Sequence, residues 1–457
     1  MNENMVLICE KLDTLLQQRS YRQFTDLIDE LNPIDVAEYV ETLSDEKLIT
    51  VFRLLKKDTA AEIFAELGSQ ARETIILTTT DRDIATIVEN LFVDDAVDLL
   101  EELPAGMVKR ILRSAKPETR ALINKFLKYP DGSAGSIMTA EYIDLKKSMT
   151  VLEAVARIRK TGVKKETVYT AFVIDAARKL EGVVSLKDLL FADENDIIGD
   201  IMSTDLLRAE TTDDRESVAA IISKYDLLSL PIVDKENRLV GIVTVDDAID
   251  VIHEEATEDI EVMAAISPTA KSYMETSTIE TWKKRVPWLL LLMVSSAFAG
   301  SIITHYETAL GAYVILTAFI PMLMGSGGNA GGQSSVTIIR GISLGEIEFK
   351  DIFKVIFKEF KVSLLCAATM CVANFIKIML VDFRTTFTPA NLTIAAIVSL
   401  TLFCTIVTAK VIGASLPLIV KRIGLDPAVM ASPFITTIVD AVSLVIYFNF
   451  ATAFLNI

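Results

Sequence analysis

The spacing of apolar positions changes twice along this chain of 457 residues. Over residues 1–130 apolar side chains recur at three- and four-residue steps with charges between them, the pattern of amphipathic helices. Similar phrases return in Asp35–Leu43, Thr59–Leu67 and Arg82–Leu91. Leu43, Leu67 and Leu91 stand 24 residues apart, with Leu55 and Leu103 at half that step. A short helix cannot bury its apolar stripe alone, so a superhelical all-α N-terminal domain is predicted over 1–130. A plain helical bundle is the alternative.

From residue 131 the pattern becomes paired valine-rich runs. Gly135-Ser-Ile-Met138 recurs as Gly199-Asp-Ile-Met202, 64 residues later. Leu180-Glu-Gly-Val-Val-Ser-Leu-Lys-Asp188 recurs as Leu239-Val-Gly-Ile-Val-Thr-Val-Asp-Asp247, 59 residues later. The first copy therefore carries five extra residues around Lys164–Tyr169. Each copy reads as helix, strand, turn, strand, helix, giving an α/β pair over 131–260. A helical, plug-like linker is predicted over 261–282.

Beyond it charges almost vanish. Val286–Thr304 holds 19 uncharged residues, and a helix needs about 20 to cross a bilayer. Further runs at Thr308–Ile339, Val362–Val381, Leu392–Val420 and Ala428–Leu455 complete an α-helical transmembrane domain of five spans over 283–457. Lys283–Arg285, the basic loop from Arg340 to Lys361, and Lys421–Arg422 flank one side. The opposite connections carry only Arg384. The excess of basic residues in cytoplasmic loops predicts a multi-pass protein of the plasma or inner membrane, N-terminus cytoplasmic and C-terminus outside.

Composition sharpens this division. A mean hydropathy of +0.41 and 23% charged residues agree only if the two are segregated. Of 62 acidic and 45 basic residues, 8 and 10 lie from Val286 onward. Residues 1–285 therefore carry −19 of the net −17. No basic face exists for neutralising phosphates, so nucleic acid is not an expected partner. Four cysteines without a paired motif exclude a disulfide scaffold, and two histidines disfavour a His-based zinc site.

Two features carry candidate chemistry. Eight carboxylates without an intervening Lys or Arg occupy Gly241–Val262: Asp246, Asp247, Asp250, Glu254, Glu255, Glu258, Asp259 and Glu261. A second cluster is Asp94, Asp95, Asp98, Glu101 and Glu102. Like charges at helical spacing repel, so two such faces meet only around a cation. Carboxylate oxygens suit Mg²⁺ before softer ions. A solvated acidic surface is the alternative. The other feature is Asp440 within span five, with Thr436, Thr437 and Ser443 on its face and Pro433 ahead of it. An ionisable residue within a span is a functional candidate; a helix–helix hydrogen bond is the alternative. Two copies of Asp440 across a twofold axis would hold a hydrated ion. The run Gly325-Ser-Gly-Gly328-Asn329-Ala-Gly-Gly-Gln333 in span two suits close helix contact or a cavity wall.

The 131–260 repeat resembles a tandem pair of CBS domains through its Ile-Met lead-in, valine-rich strand pair and Gly-x-x-Ser/Thr-x-x-Asp exit. That resemblance implies adenine nucleotide binding, with ATP the candidate, at Ser185/Asp188 and Thr244/Asp247; capping of the next helix is the alternative. The whole arrangement resembles the MgtE family of magnesium channels. This resemblance implies a homodimer in the bilayer with the ion path on its axis, lined by spans two and five. Asp440 would be the central Mg²⁺ residue, with Gly325, Gly328, Asn329, Pro433, Thr436 and Thr437 along the pore. It further implies that Mg²⁺ between Asp94, Asp95, Asp98 and Asp226, Asp247, Asp250, Glu254, Glu255, Glu258, Asp259 shuts the pore, with Asp426 near its inner mouth. Ser432 replaces the Asn that often precedes the span-five proline in that family. An ion-coupled transporter of divalent cations such as Co²⁺ or Mn²⁺ and a membrane-anchored nucleotide sensor are the competing classes. No nucleophile–base pair supports an enzyme.

Overall fold

A 24-residue leucine step is the step of stacked helices. The computed structural model describes residues 3–269, 273–274, 276–384, 386–430 and 432–455. It begins with α1 Glu3–Gln17, α2 Tyr21–Ile28, α3 Pro33–Glu41, α4 Asp45–Leu54 and α5 Lys57–Ala65. There follow α6 Ser69–Thr78, α7 Asp81–Val88, α8 Val93–Glu102, α9 Ala105–Ser114 and α10 Pro117–Phe126. Helices pack on the second one along: α3 on α5, α5 on α7, α7 on α9, and α4 on α6, α8 on α10. Val40, Ile63, Phe64, Ile84 and Val88 are buried in that stack.

A second repeat, invisible in the apolar spacing, ties the stack together. Glu41 Oε1 accepts from the N–H of Gly68, ahead of α6, and Glu89 Oε1 from that of Lys116, ahead of α10, each 27 residues on. Asp29 receives Lys56 Nζ over the same separation, ahead of α5. A carboxylate at a helix N-terminus satisfies an orphan donor and meets the positive end of the dipole.

The paired runs fold into two three-stranded sheets of the same topology. The first contains β1 Ile143–Leu145, α11 Val151–Thr161, β2 Thr170–Ile174, β3 Leu180–Ser185 and α12 Leu186–Phe191. The second follows α13 Ile198–Ile201 with β4 Ala209–Glu210, α14 Arg215–Lys224, β5 Ser229–Val233, β6 Leu239–Thr244 and α15 Val245–Met263. β1 runs parallel to β2 and β2 antiparallel to β3, and β4, β5 and β6 repeat this order. The register repeats as well: Thr170 faces Ser185 as Ser229 faces Thr244. The copies exchange their lead-ins. Thr139 bridges Ile242 of the second copy, and Ser203 bridges Val183 of the first. A Cβ at Gly241 would stand 2.7 Å from Met138 Sδ, and one at Gly182 2.5 Å from Met202 Sδ. The repeated Ile-Met and the repeated glycine are therefore the two sides of one contact.

Compact packing divides the chain into Met1–His253 and Glu254–Ile457. In the second unit the linker departs from expectation. A single helix over 261–282 does not form. Instead α15 stops at Met263, Ala265 turns into the left-handed region at φ +56°, and α16 starts at Thr278. Pro268 lacks the N–H a helix would need there, and Ser277 starts afresh by accepting from Glu280 N–H at 3.2 Å.

Among the described residues, five helical segments are long and apolar enough to cross a membrane: Thr278–His305, Val314–Ser343, Phe349–Asp382, Pro389–Arg422 and Pro427–Leu455. They contain α16 Thr278–His305, α18 Ile320–Ser343, α19 Ile352–Lys377, α20 Pro389–Arg422 and α21 Ser432–Leu455, with a short α17 Glu307–Ala312 between the first two. α20 is central, packed on α18, α19 and α21; α18 also lies on α21, and so does α16. The glycine run explains the closeness. A Cβ at Gly331 would meet Ile435 Cγ2 at 2.6 Å, and one at Gly413 would collide with the backbone of Gly331.

Candidate functional site

Each unit gathers its own carboxylates. In the first, Asp94 and Asp95 open α8, whose start is fixed by the stack. Asp246 and Asp247 open α15, at the exit of β6. Two residues absent from the sequence reading join them, Glu141 and Glu166. Glu141 follows the first lead-in and is held by Thr139 Oγ1 at 2.8 Å and Ala140 N–H at 3.1 Å. Glu166 lies in the five-residue extra segment, and its N–H donates to the Glu141 carbonyl at 2.9 Å. That insertion was the available signal for Glu166; only folding brings Glu141 here.

The electrostatics of this group are those of crowded acids. Burial, then Asp95, Asp247, Glu166 and Glu141, push the Asp94 carboxyl well above its ordinary range. Burial and then the charge of Glu66 raise Asp95, while the Arg72 guanidinium opposes them. Glu166 is pushed up to about 8, by burial first and then by Asp247 and Asp246. Burial takes Asp247 up to about 6 against the lowering effect of its Thr244 hydrogen bond. Asp94 Oδ1 and Glu166 Oε2 are buried without a hydrogen-bond partner among the described residues. Among those residues no three carboxylate, imidazole or thiol side chains converge to ligate one ion directly. A group of this kind suits a cation that keeps much of its water, as Mg²⁺ does.

The sign of the pH effect follows. Acids raised in the folded state bind protons more tightly there than in the unfolded chain. Their stability is present below their ordinary range and is lost as pH rises through the folded values, about 6 for Asp247 and about 8 for Glu166. Without divalent ions, the melting temperature of the soluble region should fall by about 5 °C between about pH 5 and about pH 8.5. Saturating Mg²⁺ should remove most of that fall, a comparison for circular dichroism. An unchanged or rising melting temperature would contradict the acid cluster.

Asp98, Asp226 and Asp250 are exposed, and Asp226 occupies a turn at φ +51°. Glu254, Glu255, Glu258 and Asp259 belong to the second unit, on the last turns of α15. There Ser343 Oγ donates to Asp259 Oδ2 at 3.1 Å. Burial raises Asp259 despite that bond, with Asp426 and Glu255 contributing. Asp426 Oδ1 accepts from the N–H of Ala428 at 2.8 Å, capping the short turn before α21.

The Ser/Thr-x-x-Asp exits form the capping alternative. Ser185 Oγ donates to Asp188 Oδ2 at 2.6 Å and accepts from Asp188 N–H at 3.0 Å. Thr244 gives both its hydroxyl and its N–H to Asp247 Oδ2.

In the membrane-spanning part, Pro433 stands in the first turn of α21 rather than inside a continuous helix, so no internal bond is broken at Val429. The carbonyl that finds a new partner is that of Met430, which receives Ser335 Oγ at 2.8 Å. The polar stripe divides. Thr437 Oγ1 donates to the Pro433 carbonyl at 3.0 Å and Ser443 Oγ to that of Val439 at 2.6 Å. Asp440 Oδ1 is buried and has no hydrogen-bond partner among the described residues. The glycine run divides too. Gly328 is buried, and a Cβ there would stand 2.8 Å from Thr436 Cγ2, whereas Gly325, Asn329 and Gln333 share an exposed face at four-residue steps.

Family comparisons agree in order along the chain. A profile for the MgtE intracellular N domain matches residues 31–132, CBS domain profiles match 134–195 and 198–254, and the MgtE divalent cation transporter profile matches 320–450. The chain is 33% identical over 449 residues to a magnesium transporter MgtE of Thermus thermophilus, covering 97% of this chain and 98% of the relative. It is equally similar, 33% over 443 residues, to the MgtE of Bacillus subtilis, covering 97% and 96%. The fold of the soluble region matches the crystal structure of the soluble part of a magnesium transporter, at a TM-score of 0.54 and 29% identity over 55% of this chain and 99% of that one. It also matches the cytosolic domain of the Mg²⁺ channel MgtE in complex with ATP, at 0.51 and 34% over 53% and 99%. The chain is a multi-pass membrane protein and belongs to the MgtE family of magnesium transporters.

Proposed function

We propose that this protein is a homodimeric, Mg²⁺-selective path across the plasma or inner membrane that closes when internal Mg²⁺ is plentiful. The observation that carries the reading is Asp440: a carboxylate within a span, its Oδ1 buried and without a hydrogen-bond partner among the described residues, on the helix packed against the glycine run of α18. A second copy supplies the other half. The Gly325, Asn329 and Gln333 face is exposed within a span, and a polar face in hydrocarbon needs a protein neighbour. Two Asp440 side chains across the axis would carry −2 and hold an ion that keeps its inner waters. Thr436, Thr437 and the start of α21 at Pro433 line the approach.

The acidic groups are the sensor in this reading. Mg²⁺ at Asp94, Asp95, Asp98, Asp226, Asp246, Asp247 and Asp250, and at Glu254, Glu255, Glu258, Asp259 and Asp426, relieves their repulsion and favours the closed state. The buried oxygens of Asp94 and Glu166 that have no hydrogen-bond partner among the described residues fit a cation. The soluble region, 1–130 and 131–260, faces the cytoplasm, the C-terminus lies outside, and residues from 261 connect the sensor to the spans. ATP binding at the CBS pair is suggested by the relative solved in complex with ATP. Such binding would have to open the Ser185–Asp188 and Thr244–Asp247 pairs.

The test is flux through the purified full chain in liposomes holding a Mg²⁺-sensitive dye. Influx at low internal Mg²⁺ that stops at millimolar internal Mg²⁺ is expected. Flux no greater than in protein-free liposomes would overturn the reading.

A further inference from the structure

Lys410 has no part in the function proposed above. It lies inside α20 and is 5% exposed. A lysine within a span needs a partner, because an ammonium in hydrocarbon is expensive. Its Nζ stands 3.3 Å from Ser334 Oγ on α18, and that hydroxyl donates to Glu359 Oε2 on α19 at 2.6 Å. Ser334 is 1% exposed. A single hydroxyl can accept from the cation and donate to the anion at once.

This chain of three joins three helices where glycines have removed other constraints. Gly413 of α20 lies backbone to backbone on Gly331 of α18, and Gly327 and Gly328 receive α21 side chains. Small residues permit close approach. They also leave few ridges to resist rotation or sliding of one helix on another. Directional polar bonds supply that resistance, here from Ser334 and from its neighbour Ser335 to the Met430 carbonyl.

We infer that Lys410, Ser334 and Glu359 form a polar clamp that sets the rotation and height of α18, and hence where its Gly325–Asn329 face is presented. The inference rests on α18 lining the ion path as proposed above. The three are positioning residues and touch no ion.

Removing one partner strands a buried charge, whereas removing both charges does not. The test uses the full chain in liposomes with Cys9, Cys366, Cys371 and Cys404 replaced by serine and Asn329→Cys as a reporter. The rate of modification by a membrane-impermeant maleimide reads the position of α18, and Mg²⁺ flux is read in parallel on chains that retain Asn329. Lys410→Met and Glu359→Gln should each change the labelling rate and lower the flux by at least about tenfold, and the double variant should return both to within about threefold. Ser334→Ala should behave like a single charge variant, and Ser334→Thr like the parent. Labelling unchanged in the single variants, or losses that add in the double variant, would overturn the clamp. If the single variants fail to reach the membrane, the double variant is still expected there, and its absence also overturns the clamp. The clamp and the transport reading fail separately. A parent that passes no Mg²⁺ but shows the labelling pattern defeats only the transport reading.

Discussion

Mg²⁺ uptake through Asp440→Ala should fall at least about 100-fold, a loss of about 3 kcal/mol in stabilisation of the permeating ion. The reason is the isolation of this carboxylate. Its hydroxyl neighbours Thr437 and Ser443 spend their protons on their own helix, and no side chain donates to Asp440 Oδ1 among the described residues. An oxygen held this way is available to a passing ion. Asp440→Asn, similar in size but neutral, separates charge from shape and should lose nearly as much. The stability of purified Asp440→Ala should move the other way. Removing a buried, unsatisfied acceptor relieves a penalty of about 1–3 kcal/mol, so Asp440→Ala should melt at or above the temperature of the parent. Uptake is measured in cells deprived of Mg²⁺, and melting in detergent. Unchanged uptake in Asp440→Ala would remove Asp440 from the ion path, and a lower melting temperature would mean that the carboxylate has a structural partner.

The second large effect concerns the sensor. With Asp94→Asn and Asp247→Asn combined, the Mg²⁺ concentration giving half-maximal protease protection of the soluble region should rise at least about tenfold, a change of about 1.4 kcal/mol. Flux should then persist at millimolar internal Mg²⁺. Burial raises the proton affinity of both; the charges of Asp95 and Asp247 then add to Asp94, and those of Asp246 and Asp95 add to Asp247. Replacing them takes away both the repulsion that loosens the region without Mg²⁺ and the negative charge that would bind it. The protection curve should therefore flatten as well as shift. A parent-like titration would show that the ion acts elsewhere.

Much of this architecture was legible in the amino-acid sequence, and the legible parts share a physical cause. The leucine step of the N-terminal region, the 59-residue offset of the α/β copies and the five apolar runs all report burial, which is periodic along a chain. Asp440 stood out because a charge within an apolar run has no solvent to excuse it. The linker is less legible, because acidic helical spacing runs without interruption up to Met263. The left-handed turn at Ala265 and the proline at 268 end the helix first. Pro433 poses a related problem: a proline that opens a helix and one that breaks it look alike without the helix boundary.

The sequence alone determined most of the helices, the paired strands and the five apolar runs, where the charge is segregated, and that Asp440 lies within one of those runs. Only the tertiary structure decided which polar groups meet. Glu141 and Glu166 join Asp94 through contacts far apart in the chain. The Met138 and Met202 lead-ins cross to the opposite copy. Gly328 turns to Thr436 while Asn329 stays exposed, and Lys410 finds Glu359 through Ser334. Burial is a property of single positions and leaves a periodic trace. A hydrogen bond or a crowded charge is a property of pairs, and its partners lie at separations that no periodicity records.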